Sequence, residues 1–215
     1  MAQDCEDKQR LSLAQRLRSE TRVLHAEAER SGVMRSLLKG DLSLASYCLL
    51  LRNLLEIYSA LEPALVEHAT HPLIAPICTA QLFRCAALEL DLEVLHGNDW
   101  ATSLAVAKTA RTYADRLIAG AAREPRRLLA HAYVRFLGDL SGGQILLGIV
   151  RKSMKLRDDA GTRFYQFDAP HAQTLAMQFR CGLDAIAVDD ETAGVVVDEA
   201  RWAFSMHARL FEELH

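Results

Sequence analysis

Gly138-Asp139-Leu140-Ser141-Gly142-Gly143-Gln144 lies inside a run that otherwise reads as one helix, from about Pro125 to Met154. A glycine in a helix interior costs about 1 kcal/mol relative to Ala. Gly138, Gly142 and Gly143 together therefore cost about 3 kcal/mol, a sizeable part of the ~5–15 kcal/mol that holds a domain together. A helix that keeps them has a backbone touching something that side chains would push away. Gly138 and Gly142 share a face, with Gly143 beside them, so the helix carries a flat strip of bare backbone and kinks easily there. Arg135 and Asp139 have the same i, i+4 spacing and can pair, which sets a carboxylate beside the strip. Two readings fit. One is close packing against a second helix. The other is a flat ligand lying on the strip, with Asp139 organising polar contacts near it.

A second stripe stands near the N-terminus. Arg18, Arg22, His25 and Glu29 fall at i, i+4, i+7 and i+11 of a helical period. Glu29 is placed to accept an imidazole N–H, which fixes the tautomer of His25 and strengthens its other nitrogen as a metal donor. Arg18 and Arg22 are permanent cations suited to the carboxylates of a ligand. His25 has no second His or Cys at metal-ligand spacing, which argues against zinc. A single axial His, a flat backbone strip and nearby cations suit haem. His207 shares a face with Phe204 and Phe211 and is the strongest rival for a polar role near a metal, but its flanks lack the Arg/Glu stripe. His68, His71, His131 and His171 sit near element ends or on polar faces and read as solvated.

The elements that must position these residues are helices. Nearly every segment carries a 3.6-residue apolar period and no strand-like alternation persists. Leu11 to Arg30 reads as a helix closed near Gly32. Ser43 caps a second helix bearing Tyr47, Leu51, Leu54, Tyr58 and Leu61. His71-Pro72-Leu73-Ile74-Ala75-Pro76 breaks the chain. A helix from about Thr79 ends at Gly97, and Asn98 or Asp99 caps an Ala-rich one running to about Gly120. Pro125 opens the glycine-bearing helix. Asp158 to Gly161 is a turn, followed by helices over about His171 to Ile186 and Thr192 to Leu214.

The fold expected is all-α and single-domain. The chain's 215 residues suffice for one substantial core, and a composition half hydrophobic and a quarter charged is globular rather than disordered. A net charge of −3 gives no reason to expect nucleic acid. No apolar run approaches the ~18 residues of a membrane span. Residues 1–10 lack the apolar centre of a signal peptide and read as a frayed tail, leaving 11–215 as the domain. The five cysteines are odd in number and form no CxxC pair. Cys48, Cys78, Cys85 and Cys181 lie among apolar residues and read as reduced packing residues of a cytoplasmic protein. Met34, Leu37, Leu50, Leu54, Leu146, Phe204 and Phe211 read by period alone as plain core.

Tyr133-Val134-Arg135-Phe136-Leu137-Gly138-Asp139-Leu140-Ser141-Gly142-Gly143-Gln144 resembles the distal-helix signature of the haem oxygenase family. Thr21-Arg22-Val23-Leu24-His25-Ala26-Glu27-Ala28-Glu29 resembles its proximal-helix signature. Met34, Leu38-Lys39-Gly40, Ile57-Tyr58-Ser59-Ala60-Leu61-Glu62, Phe164-Tyr165-Gln166-Phe167 and Phe211-Glu212-Glu213-Leu214 match in family order, from about residue 11 to the C-terminus. The likeness is to bacterial and cyanobacterial members of the mammalian-like type, and no apolar tail follows Leu214.

The resemblance implies a helical bundle with a kinked, glycine-rich distal helix. It implies cleavage of haem b, both substrate and cofactor, by dioxygen and reducing electrons to biliverdin, ferrous iron and carbon monoxide. It makes His25 the axial iron ligand and Glu29 its partner. Gly138 and Gly142 then lie against the distal face of the ring, with Gly143 and Ser141 beside them, and Asp139, held by Arg135, keeps ordered water near bound dioxygen. Arg18, Arg22, Tyr133 and Arg180 meet the propionates. Met34, Leu37, Leu50, Leu54, Leu146, Phe204 and Phe211 move, as a group, from plain core to the pocket wall.

Three departures from the family pattern stand out. Ala176-Met177-Gln178 lacks a lysine that the family often carries before the segment matching Phe179-Arg180, which weakens one propionate anchor and with it the definition of the cleaved meso position. Val134 and Phe136 stand where a threonine and a tyrosine are frequent, removing two hydroxyls from the helix. The resemblance further implies an external electron donor, a ferredoxin or an NADPH-dependent reductase. It also implies a monomer, and a biliverdin reductase or bilin photoreceptor downstream. Arg123, Arg126 and Arg127 form a basic group that suits an acidic donor protein or is plain solvated surface. A non-catalytic haem carrier or sensor has no need of Asp139 on a glycine-rich helix. A thiaminase-like hydrolase on a similar helical fold needs a nucleophilic Cys beside acidic residues, and Cys181 beside Arg180 is the nearest approach to one.

Overall fold

The computed structural model describes residues 11–167 and 172–215. The N-terminal tail expected over 1–10, with Cys5, and His171 lie outside the described residues. Among the described residues the regular structure is helical, without strands. The order is α1 (Leu13–Glu29), α2 (Gly32–Lys39), α3 (Leu44–Glu67), α4 (Cys85–Leu95), α5 (Trp100–Ser103), α6 (Lys108–Arg123), α7 (Leu128–Ala132), α8 (Gly138–Met154), α9 (Ala172–Asp184) and α10 (Asp190–Glu213). α1 lies along α10, α3 packs on α4 and α6, and α2 bridges α10 and α8.

Local chemistry closes several helix ends, one of them at the predicted cap Ser43. Ser12 and Gln15 form a capping box at the start of α1, Ser43 Oγ accepts from Ser46 N in α3, and Asp189 accepts from Thr192 N at 2.7 Å in α10. The buried side of α3 carries Tyr47, Leu51, Leu54, Tyr58 and Leu61, the residues its period selects.

Other boundaries differ from the sequence reading. The first helix ends at Glu29, and Gly32, taken as its terminator, instead opens α2. Gly32 has φ +34°, and a Cβ there would lie 1.8 Å from the Phe211 carbonyl oxygen. It is glycine because α10 passes too close for anything else. The helix read from Thr79 to Gly97 is a 3₁₀ turn, Ala80–Leu82, then α4, whose first amides (Arg84 N and Cys85 N) donate to Glu62 of α3. The Ala-rich helix splits into α5 and α6. Asn53 of α3 holds the break, accepting from Ala107 N at 2.7 Å and donating to the Ala105 carbonyl. Glu213 of α10 then caps α6 by accepting from Lys108 N at 2.9 Å and Thr109 N at 3.1 Å. Each of these caps comes from a residue far away in sequence, beyond the reach of local pattern.

The run from Pro125 to Met154 is continuous, but it is not one regular helix. Pro125–Arg127 is a 3₁₀ turn, α7 follows, and Tyr133–Leu137 form a π-turn leading into α8 at Gly138. The irregularity ends at Leu137 and runs directly into Gly138. A π-turn re-aims the side chains around it and recurs at functional sites. No described helix is long and apolar enough to cross a membrane.

Candidate functional site

The three glycines separate into two environments. A Cβ built on Gly138 or Gly142 meets nothing within 4 Å. One built on Gly143 meets Tyr165, its nearest atom 3.6 Å away. The close-packing reading therefore describes Gly143, while Gly138 and Gly142 leave open space in front of a bare helix face.

Beside that face the π-turn and α8 bury a polar cluster. Arg135 Nη2 donates to Asp139 Oδ1 at 3.0 Å, as their spacing predicts. Tyr58 Oη of α3 donates to Asp139 Oδ2, and Arg135 Nε donates to Tyr58 Oη at 3.3 Å. Burial pushes the Asp139 carboxyl above the usual carboxylate range, with Arg135 and the Tyr58 hydroxyl opposing it. Burial alone would lower Arg135, but Asp139 and Tyr58 outweigh it and hold the guanidinium charged. Tyr58, read from sequence as core, thus belongs to the site. The available signal was a phenol on a fully buried helix face, which needs a partner for its hydroxyl.

His207 also joins this cluster, as Arg135 Nη1 lies 3.2 Å from its Nε2 and its Nδ1 lies 2.8 Å from the Ala203 carbonyl oxygen. Both ring nitrogens are engaged, which removes it as a rival iron ligand. His131, expected to be solvated, is buried instead. Its Nδ1 is 2.9 Å from Tyr113 Oη and its Nε2 is 3.1 Å from Glu199 Oε1. Glu199 is itself buried and accepts from Arg116 at 2.6 and 2.7 Å and from Arg127. Burial would raise the Glu199 carboxyl, but these hydrogen bonds overcome it and hold it well below the usual range. Arg126 and Arg127 both pair with Glu124, so two of the three arginines in the basic group are neutralised locally.

His25 stands on the more open side. Its side chain is 48% exposed, and Phe204 meets its ring edge-on at 5.5 Å between centroids. Glu29 Oε1 is 3.8 Å from Nδ1, close enough to be a charge neighbour and too far for a direct hydrogen bond. The Tyr133 phenol is raised by burial, with Thr21, Arg18 and Arg180 around it opposing the shift. Arg180 also donates to Ser141 Oγ at 3.4 Å. One polar rim thus gathers α1, the π-turn, α8 and α9. Arg22 is exposed on the same helix as Arg18. Met34 and Leu146 are half-buried against the core, and Phe204 and Phe211 are buried. Leu37, Leu50 and Leu54, expected in the same wall, are buried too.

Where the sequence lacks the lysine, Met177 is exposed. Phe136 is buried among the rings of Tyr58, Phe83 and Phe179, so a hydroxyl there would find an aromatic cluster. Cys181, expected among packing residues, is exposed on α9; Cys48 is buried, Cys78 and Cys85 are half-buried, and all four are free thiols.

The family model described as "Heme oxygenase" matches residues 11–213. Heme oxygenase 1 of Nostoc sp. is 39% identical over 204 residues, covering 94% of this chain and 86% of that relative. Heme oxygenase 1 of Gallus gallus is 36% identical over 94% of this chain and 69% of its own length. The crystal structure of heme oxygenase-1 from the cyanobacterium Synechocystis sp. in complex with heme superposes with a TM-score of 0.91 at 37% identity, covering 95% of this chain and 93% of that one. The structure of heme oxygenase from Leptospira interrogans gives 0.89 at 30% identity, over 94% and 100%. With so much of its length matched by sequence and by fold, the chain belongs to the haem oxygenase family.

Proposed function

We propose that this chain binds haem b between α1 and the glycine strip and cleaves it with dioxygen and reducing electrons to biliverdin, ferrous iron and carbon monoxide, opening the ring at the α-meso carbon. The observation that carries the reading is the open space before Gly138 and Gly142, which a helix-packing role would have filled. The residues fit the group. His25 is an accessible imidazole for iron, with Glu29 Oε1 3.8 Å from its Nδ1. Arg18, Arg22, Arg180 and Tyr133 offer cations and a phenol to two propionates. Met34, Leu146, Phe204 and Phe211 supply apolar wall. When bound, haem supplies the iron that activates dioxygen and the ring carbon that is oxidised.

The chain's own part in the chemistry is positional and electrostatic. Gly138 and Gly142, with Ser141 and Gly143 adjoining, let the helix backbone approach the ring and restrict which edge reacts. Arg135 and Tyr58 fix Asp139 so that its remaining lone pairs hold water facing the open side, a donor aimed where charge develops. Electrons come from an external donor, a ferredoxin or an NADPH-dependent reductase. The protein works as a cytoplasmic monomer, feeding a biliverdin reductase or a bilin photoreceptor.

The test is anaerobic reconstitution with haem, then reductant and oxygen, with the bilin isomer identified by chromatography. A shifted Soret band followed by biliverdin α is expected. A Soret shift without bilin would make the chain a carrier, and no Soret shift would overturn haem binding.

A further inference from the structure

His207 is 3% exposed on α10, and its ring is held edge-on by Tyr113 at 5.1 Å and tilted against Phe211 at 5.9 Å between centroids. Its two nitrogens meet partners of opposite kind. The Ala203 carbonyl oxygen at 2.8 Å can only accept, so Nδ1 carries the hydrogen. The Arg135 guanidinium at 3.2 Å can only donate, so Nε2 presents a lone pair. One neutral tautomer satisfies both, and an added proton would set two donors face to face. Burial and the neighbouring Arg135 accordingly push the imidazole down to about 3.

The consequence falls on Arg135. A buried arginine beside a carboxylate tends to close a bidentate fork on it. Here the three guanidinium nitrogens are shared among three acceptors: Nη1 on His207, Nη2 on Asp139 Oδ1 and Nε on Tyr58. Asp139 therefore receives one hydrogen bond on each oxygen, from Arg135 and from Tyr58. About two of the roughly four acceptor sites of a carboxylate stay free for water.

We propose that His207 is a positioning residue. By accepting from Nη1 as the Nδ1–H tautomer, it keeps Arg135 off the second oxygen of Asp139 and so preserves the carboxylate's capacity to hold water on the open side of α8. The link to turnover rests on the haem-cleaving reading above, whereas the tautomer and the shared guanidinium belong to the ligand-free protein.

The experiment has two arms. In the protein without haem, two-bond ¹H–¹⁵N spectra of the imidazole rings at pH 7 are expected to show His207 neutral, with Nδ1 protonated and Nε2 bare. Detection of an Nε2–H tautomer or an imidazolium would overturn the proposal, whatever the protein does with haem. In the haem-loaded protein, His207→Leu is expected to lower turnover about tenfold while haem affinity stays within about threefold, the loss being that of one charge-assisted hydrogen bond. His207→Gln, whose amide oxygen reaches about as far as Nε2, is expected to recover turnover to within about threefold of the parent. Equal turnover in parent and His207→Leu, or equal impairment of both folded variants, would overturn the positioning role. If His207→Leu does not fold, the Gln variant and the ring spectra still decide it. A parent that binds haem without cleaving it sinks the proposed function and leaves the spectral arm standing.

Discussion

His25 and His207 sit on helices that pack along or beside one another, yet they hold opposite kinds of site. His25 keeps about half of its side chain accessible, with a carboxylate at 3.8 Å and an aromatic edge as neighbours. His207 is buried with both nitrogens committed, inside a chain of contacts running through Arg135 to Asp139 and Tyr58. An imidazole that must take a metal needs a free lone pair and room. One that must hold a guanidinium needs a fixed tautomer and no water. The open side of the molecule is thus left under-determined by the protein, whereas the buried cluster around Arg135 is over-determined.

The largest test of that contrast is His25→Ala. Removing an exposed side chain should leave the apo-protein's thermal midpoint nearly unchanged and abolish the His-ligated haem spectrum outright. A retained axial-histidine spectrum would show that the open side was misread.

Asp139→Ala attacks the other side. It leaves the buried Arg135 cation without its carboxylate, and losing one partner of a buried pair costs about 3–5 kcal/mol. Denaturant unfolding should show a loss of that order, with haem still bound and little bilin formed. A loss below about 1 kcal/mol would mean that the cluster is less tightly determined than its geometry implies.

Acid should test the buried His207 next. Unfolded, His207 takes a proton below pH ~6.5; folded, it stays neutral until about 3. Between those values the unfolded state binds more protons, so stability falls as pH is lowered, by about 1.4 kcal/mol per pH unit. From pH 6.5 to 5 the parent should lose about 2 kcal/mol that His207→Leu does not lose. Parallel curves for parent and variant would contradict the buried neutral imidazole.

The smallest effect is the most diagnostic for the glycines. Gly138→Ala and Gly142→Ala place a methyl into open space, so each should raise apo stability by about 0.5–1 kcal/mol, the ordinary helix preference for alanine. The same substitutions should weaken haem binding. A variant with both gains, in stability and in affinity, would break the link between the bare strip and the ligand.

Much of the site is local and was legible. Arg135 with Asp139, the Arg18–Arg22–His25–Glu29 stripe and the Gly138–Gly142 face all follow from helical spacing, because residues three or four apart on a helix are neighbours whatever surrounds them. The Ser43 cap follows for the same reason. His131 was misjudged because its partners, Tyr113 and Glu199, come from α6 and α10, and no spacing within its own helix announces them. The break between α5 and α6 was missed because Asn53 and Glu213 reach in from α3 and α10.

By itself, then, the sequence determined an all-α chain with one glycine-stripped helix and one histidine stripe, since helical period and side-chain absence are properties of neighbouring residues. Only the tertiary structure decided which glycines face open space and which meets Tyr165. It likewise decided that the irregular turn precedes Gly138, and that His207 and Tyr58 share the Arg135 guanidinium with Asp139. Those outcomes depend on which helices approach, and an approach between distant segments is set by the packing of the whole core rather than by any window of the chain.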